Sequence, residues 1–257
     1  MTSPFDTLRL PVFAAPMFLI SGPELVIAAC KAGIGGAFPT PNCRTVEDLD
    51  AWMGTITDAL KPGDAPWIAN MITHSTNARL PEDLRLIAEY KPPVVITALG
   101  SPKPVMETVK SYGGLVFADV VSMKLAKKAA EAGVDGLACV SAGAGGHTGH
   151  LAPFAFISAV RDFFDGYIAV GGGVCSDLVS LAASMYRRGI AHLRIPTTLI
   201  GQVDAGIGIK GGINFQGQKN LLGCFHPPCA VIVDTAFLRT LEAVHIRQGM
   251  AEILKMA

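Results

Sequence analysis

Charge is scarce in this sequence. Charged residues make up 16% of the 257, and 21 basic side chains balance 21 acidic ones, for a formal net charge of zero. That balance argues against any general attraction to nucleic acid or anionic lipid. Long apolar runs are missing too. None reaches the ~18 residues a membrane helix needs. The run PVFAAPMFLI is too short and carries two prolines. A cleaved leader is not expected, because Asp6 and Arg9 precede that run and no basic segment opens the chain. The six cysteines, at 30, 43, 139, 175, 224 and 229, include no C-x-x-C pair. Neither a zinc ribbon nor a redox pair is implied. The expectation is buried free thiols in a reducing cytoplasm. There is no low-complexity linker and no repeat beyond a strand–helix unit.

What the chain has is hydrophobicity, at 50% of residues, delivered in short runs. Strands are expected at 12–17, 33–38, 67–72, 94–100, 114–121, 136–140, 167–172 and 191–196. Runs this apolar suit strands buried on both faces. Helix-length segments lie between them. ELVIAACKAG spaces its apolar residues helically and stops at Gly33, and MKLAKKAAEAG puts Lys124, Lys127, Lys128 and Glu131 on the wet side. DLVSLAASMYRRG follows Ser176, a suitable N-cap, and ends in two arginines that face the negative end of the helix dipole.

Eight strand–helix alternations in about 200 residues suggest an α/β fold of the TIM (βα)8 barrel type, with a doubly wound open sheet as the competitor. The expected division is a barrel over 1–200 and a glycine-rich C-terminal extension over 201–257. In a barrel, chemistry sits on the loops after the strands. Here those loops read AAPM, NMITHSTN, SAGAGGHTGH and GGGV. Glycines at strand ends let backbone amides approach a flat ring or a phosphate.

PVFAAPM, IANMITHSTN, VVITALGSP, the DVVSMKLAKKAAEAGVDGL block and GAGGHTGH, in that order, resemble the nitronate monooxygenase (2-nitropropane dioxygenase-type) family of FMN barrels over residues 1 to about 174. The resemblance implies oxidation of alkyl nitronates with O2 to a carbonyl compound and nitrite. It implies Ala15, Pro16 and Met17 along the isoalloxazine, and Asn70 hydrogen-bonded to it. Lys127 would place charge near the reduced ring, Gly145 and Gly146 would pack on the flavin, and Gly172, Gly173 and Thr197 would lie at the phosphate. His147 would be the catalytic group, as base on a neutral nitroalkane or as a hold on the nitronate. A histidine titrates near neutrality and suits either task. The partners implied are a small-molecule substrate and O2. Oligomeric state is not readable.

From about residue 168 a second resemblance takes over. GGGVCSDLVSLAASMYRRGI, IPTTLIGQVDAGIGIKGGINFQGQKNLLGCFHPP and GMAEILKMA resemble the sugar-phosphate cyclases, which include dehydroquinate synthase and 2-epi-5-epi-valiolone synthase. These use NAD and a divalent metal such as zinc. The resemblance implies Gly171, Gly172, Asp177, Thr197 and Thr198 at NAD. Asp204, Lys210, Lys219 and Asn220 would hold the sugar phosphate, with Lys255 near the site and Glu252 as a metal ligand. The family's N-terminal nucleotide-binding region, its helical domain and its two metal-binding histidines are expected to be missing, and one carboxylate is a poor zinc site. The reading is therefore a chimera. Its cyclase-like helix and residues 191–196 are expected to supply the eighth barrel strand. Pro196 would withhold one N–H from the FMN phosphate there. An inactive joined chain is the third reading.

Overall fold

The computed structural model describes residues 3–141, 151, 153–171, 183–184, 189, 191–194, 196, 199, 202–203, 209–215, 218–233, 235–240, 246–247, 250 and 253. Two compact units emerge. The first is Met1–Ser141 with Gly149–Gly171, and the second is Ala142–Thr148 with Gly172–Ala257.

The first unit is a seven-stranded parallel sheet with helices between strands. The strands are β1 (Phe13–Ala14), β2 (Gly35–Pro39), β3 (Trp67–Ile72), β4 (Val94–Ala98), β5 (Leu115–Val120), β6 (Gly136–Val140) and β7 (Tyr167–Gly171). They pair strictly in chain order, β1 to β7. Most of the strands are short, largely apolar runs, and each step to the next strand crosses the sheet by a helix, as parallel pairing demands. The helices are α1 (Pro23–Lys31), α2 (Val46–Ala59), α3 (Leu80–Tyr90), α4 (Lys103–Ser111), α5 (Met123–Glu131) and α6 (Pro153–Arg161). α1 opens on a proline in its first turn, where the missing N–H costs nothing. α2 opens on a capping box in which Thr45 and Asp48 bond each other's backbone amides. Ser122 caps α5 through Leu125 N–H.

Alternation along the strands sorts side chains into two layers. Trp67, Ala69, Met71, Val95, Val116, Ala118, Val120, Leu137 and Cys139 point to the helices and join the main core. Ala37, Ile68, Val94, Ile96 and Phe117 point the other way, into a smaller inner cluster with Phe13, Leu115, Ala138 and Ala169 packed against it. Space is tight in both layers. A Cβ on Gly36 would stand 2.5 Å from the Val26 carbonyl of α1, and one on Gly136 would stand 2.2 Å from the Phe117 ring. The inner cluster is plugged from below by a 3-10 turn, Pro4–Thr7. Its Phe5 ring meets Tyr167 edge-on at 4.8 Å, Phe13 at 5.6 Å and Phe117 at 6.0 Å. Ser3 Oγ and Tyr167 Oη are hydrogen-bonded at 3.1 Å.

The expected eighth strand is corrected. Leu193–Arg194 forms a strand, β8, but it pairs in parallel with β11 (Ala230–Val231), not with the seven-stranded sheet. Cys229 N–H donates to His192 O and Ile232 N–H donates to Arg194 O. The polarity of the segment explains the choice. His192 and Arg194 are 8% and 5% exposed, while Leu193 is 46% exposed. A ring strand between two apolar layers needs apolar side chains on both faces. The second unit also holds an antiparallel pair, β9 (Lys210–Phe215) and β10 (Gln218–Phe225). Thr235–Thr240 forms a 3-10 turn.

The expectation of buried thiols is met in part among the described residues. Cys30, Cys43 and Cys139 are buried thiols, Cys224 is half-buried and Cys229 is exposed, and none of the five forms a disulfide. Burial pushes the thiols of Cys30 and Cys139 up to about 11 and that of Cys43 to about 12. They stay protonated at neutral pH and serve as packing. No described helix is long and apolar enough to cross a membrane.

Candidate active site

The C-terminal ends of the seven strands carry the chemistry-bearing loops. The loop after β1 is built rigidly. Met17 N–H donates to Ser21 Oγ at 3.0 Å, and the Ser21 hydroxyl donates to Ala15 O at 3.3 Å. Asn42 reaches over from the loop after β2. Its Nδ2 donates to Met17 O and Ser21 O, at 3.1 and 2.8 Å, and its Oδ1 accepts from Leu19 N–H at 2.8 Å. Leu19 is held at φ 61°, a left-handed conformation that costs a branched side chain energy. The clamp leaves Met17, Phe18, Leu19 and Ile20 exposed on the rim. Leu99, after β4, repeats the device at φ 57°.

At the same end of the sheet lies Asn70, near the end of β3. It shares its face with Ile68, so its amide belongs to the inner layer. It is 7% exposed, and its Nδ2 donates to Ile96 O at 3.2 Å. That is its one side-chain bond among the described residues, so the rest of the amide is free to meet a ligand.

Asp119, near the end of β5, is the residue that sequence reasoning missed. It shares its face with Leu115 and Phe117 and so lies on the inner layer. Its carboxyl makes no hydrogen bond or ion pair among the described residues. Burial pushes it up to about 7. The signal was present in LVFADV, where period two places the aspartate with the leucine and phenylalanine.

The rear of the rim is fastened by a buried ion pair. Arg79 Nε and Asp83 Oδ1 lie 2.8 Å apart, with Asp83 1% exposed. The same guanidinium donates to Cys43 O at 2.6 Å and Thr40 O at 2.9 Å, and the Thr40 hydroxyl donates to Asp83. This ties the chain after β2 to the start of α3.

Of the expected site residues, the structure brings Ala15, Pro16, Met17 and Asn70 to one end of the sheet. Lys127 goes elsewhere, and its expected place beside the flavin is corrected. It lies on α5, exposed, with its ammonium 5.6 Å over the Phe163 ring. It lines a cleft of about 670 Å³ with Asp135, Phe163, Phe164, Asp165 and Tyr167. Asp135 and Tyr167 mark the N-terminal ends of β6 and β7, the end that serves stability in barrels. Lys127 was misread because α5 is amphipathic and its charged face turns away from the sheet. Asp135 there accepts from Lys110 Nζ and from Val116 N–H. Gly145, Gly146, His147, Gly172, Gly173, Thr197 and Glu252 lie outside the described residues, as do Asp177, Thr198, Asp204 and Lys255. Lys210, Lys219 and Asn220 lie on β9 and β10. No group of three or more potential metal ligands occurs among the described residues.

Comparison with known proteins gives different relatives for the sequence and for the fold. Residues 157–248 match the family model described as 3-dehydroquinate synthase N-terminal. The 2-epi-5-epi-valiolone synthase of Streptomyces hygroscopicus subsp. jinggangensis is 58% identical over 90 residues, which is 35% of this chain and 22% of that protein. The chain thus spans about a fifth of that curated relative. The folded likeness is different. A FabK mutant from Thermotoga maritima superposes with a TM-score of 0.60 at 24% identity, over 74% of this chain and 62% of the other. The nitroalkane oxidase of Streptomyces ansochromogenes gives 0.60 at 18% identity, over 70% and 63%. These likenesses show the fold. Residues 157–248 thus resemble 3-dehydroquinate synthases in sequence, while the seven-stranded sheet resembles FabK and nitroalkane oxidase in fold.

Proposed function

We propose that the seven-stranded unit binds FMN at the C-terminal end of its sheet and oxidises alkyl nitronates with O2 to a carbonyl compound and nitrite. The observation that carries this reading is Asn70, a buried amide on the inner layer with bonding capacity unspent, at the same end of the sheet as the clamped AAPM loop. That arrangement fits the flat ring of a flavin. Ala15, Pro16 and Met17 would lie along it, Asn70 would bond it, and Gly145 and Gly146 would pack on it. Gly172, Gly173 and Thr197 would take the phosphate, and His147 would face the substrate. Bound there, FMN supplies the electron transfer and oxygen chemistry, while the chain supplies placement and exclusion of water.

The test is to purify the chain without added ligand, denature it and analyse what is released. FMN is expected. Asn70→Leu should lower flavin content while leaving the far-ultraviolet circular dichroism unchanged. Colourless protein that gains no thermal stability with FMN would end this reading.

A second reading has its own observation, the 58% identity over 90 residues to a valiolone synthase. On it the chain is an NAD- and metal-dependent sugar-phosphate cyclase, a carbon–oxygen lyase. Gly171, Gly172, Asp177, Thr197 and Thr198 would meet NAD. Asp204, Lys210, Lys219 and Asn220 would meet the substrate, with Glu252 at the metal. Release of NAD and zinc with no flavin would favour it.

A further inference from the structure

We propose that Asn42 is the positioning residue of the flavin-facing loop. It holds Ala15, Pro16 and Met17 in their binding path before any ligand arrives, and Arg79 in turn holds Asn42. This rests on the flavin reading above and deepens it by naming the residues that set cofactor affinity.

The argument begins with strain. Leu19 stands at φ 61°, where any side chain larger than that of glycine is disfavoured. Its side chain is 65% exposed, so packing does little to keep it there. The turn is held instead by hydrogen bonds that converge on one amide. Asn42 Oδ1 accepts from Leu19 N–H at 2.8 Å, and Nδ2 donates to Met17 O at 3.1 Å and to Ser21 O at 2.8 Å. Met17 O also accepts from Ser21 N–H at 3.0 Å, which closes the turn. The hold then passes back toward β1. The buried Ser21 hydroxyl accepts from Met17 N–H and donates to Ala15 O. Pro16, between them, has its φ fixed by its ring. Both donors of the Asn42 amide are engaged. An ionised aspartate at this position would offer no donor, and a leucine would offer neither donor nor acceptor.

Asn42 has a footing of its own. It ends the 3-10 turn Thr40–Asn42. The Arg79 guanidinium donates to a carbonyl on each side of it, Thr40 O at 2.9 Å and Cys43 O at 2.6 Å, while Asp83 balances the charge. A planar fork of donors can reach all three partners at once, and a lysine ammonium cannot match that geometry. The buried ion pair thus fixes the turn that carries the clamp. Glycine at position 19 would adopt φ 61° without penalty. The chain keeps a leucine there and commits an asparagine and a buried ion pair to holding it. Strain maintained in this way points to function. The function that the geometry offers is preorganisation, because a loop already ordered loses little freedom when a flat ring settles on it. If only a fraction of molecules held the loop correctly, apparent affinity would fall by that fraction.

The test measures the loop with and without the cofactor. Hydrogen exchange by mass spectrometry is run on the full chain freed of flavin, and FMN affinity is read from quenching of flavin fluorescence. In Asn42→Asp, peptides over 15–21 should exchange at least tenfold faster than in wild type, with those over 67–72 and 94–98 unchanged. The FMN dissociation constant should rise at least tenfold, as expected if fewer than about one molecule in ten keeps the loop in place. As pH falls and the new carboxyl takes up a proton, it regains one donor. Affinity relative to wild type should therefore recover in Asn42→Asp and stay flat in Asn42→Leu, a difference that a role in stability alone would not produce. Leu19→Gly, added to Asn42→Asp, should restore part of the affinity. Arg79→Lys keeps a cation at Asp83 and gives up the fork, so it should loosen 15–21 by a smaller factor and add nothing on top of Asn42→Asp. Exchange over 15–21 that is equal in wild type and both Asn42 variants, or an unchanged FMN dissociation constant, would overturn the proposal. So would a loss of binding matched by faster exchange over 67–72 and 94–98, since that would be general loosening of the sheet. FMN bound equally well by wild type and Asn42→Asp sinks the clamp and keeps the flavin reading. Wild type that binds no FMN, with exchange over 15–21 still governed by Asn42, sinks the flavin reading and keeps the hold on the loop.

Discussion

Asp119→Asn should make the protein more stable at pH 8 and leave it almost unchanged at pH 4. An ordinary aspartate gives up its proton near 3.8, and the folded chain holds that of Asp119 until about 7. Between these values the folded state binds more protons than the unfolded state, so stability falls as pH rises. The contribution is fully present below about pH 4 and is lost as pH passes through about 7. A gap of about three pH units at ~1.4 kcal/mol each sets a ceiling of about 4 kcal/mol. The residue is partly accessible, so water recovers some of that, and about 2–3 kcal/mol is the working figure. Asparagine has the same shape and carries no charge, and so it escapes the penalty. Urea titration followed by tryptophan fluorescence is the right assay, because Trp52 and Trp67 are the two tryptophans and both lie in the first unit. With a slope of ~1–3 kcal/mol per molar urea, the midpoint of the variant should exceed that of wild type by roughly 1 M at pH 8. Curves that stay parallel from pH 4 to 8, or a variant weaker at pH 8, would show that the carboxylate has a partner and would refute the reasoning.

Other outcomes follow from the same geometry. Arg79→Leu should cost about 3–5 kcal/mol by urea titration, because it strands Asp83 in the interior, and Arg79→Leu with Asp83→Leu should restore much of that loss. Lys127→Met should leave flavin content unchanged on extraction, since its ammonium lies over Phe163; a colourless variant would return that lysine to the cofactor. Leu137→Ala, in the fully buried layer between sheet and helices, should cost about 2–5 kcal/mol in the same assay.

The first seven strands were legible because a parallel strand buried on both faces is an uninterrupted apolar run, and each run here is bounded by Gly, Pro or a helical pattern. GLACV was read at 136–140 and WIANMI at 67–72, as found. Residues 191–196 were read as a strand but given the wrong neighbour. A short run declares its backbone geometry and not its partner, and the partner here lies more than thirty residues on, at Ala230–Val231. The alternation of buried His192 and Arg194 with exposed Leu193 was the clue against a ring strand. At the candidate site, Asn70 was singled out through its motif, and alternation along β3 puts it on the inner layer. Lys127 was not legible, because helical phase decides which side of α5 it occupies. Asp119 was quoted within a motif and passed over, although its parity with Phe117 sets its direction.

Phe5 touches rings carried by the first, fifth and seventh strands. A stack of aromatics therefore fastens the two ends of an unsealed ring to each other, where backbone pairing would ordinarily do so. A domain buttoned in this manner draws closure from side chains of its own strands and N-terminal turn.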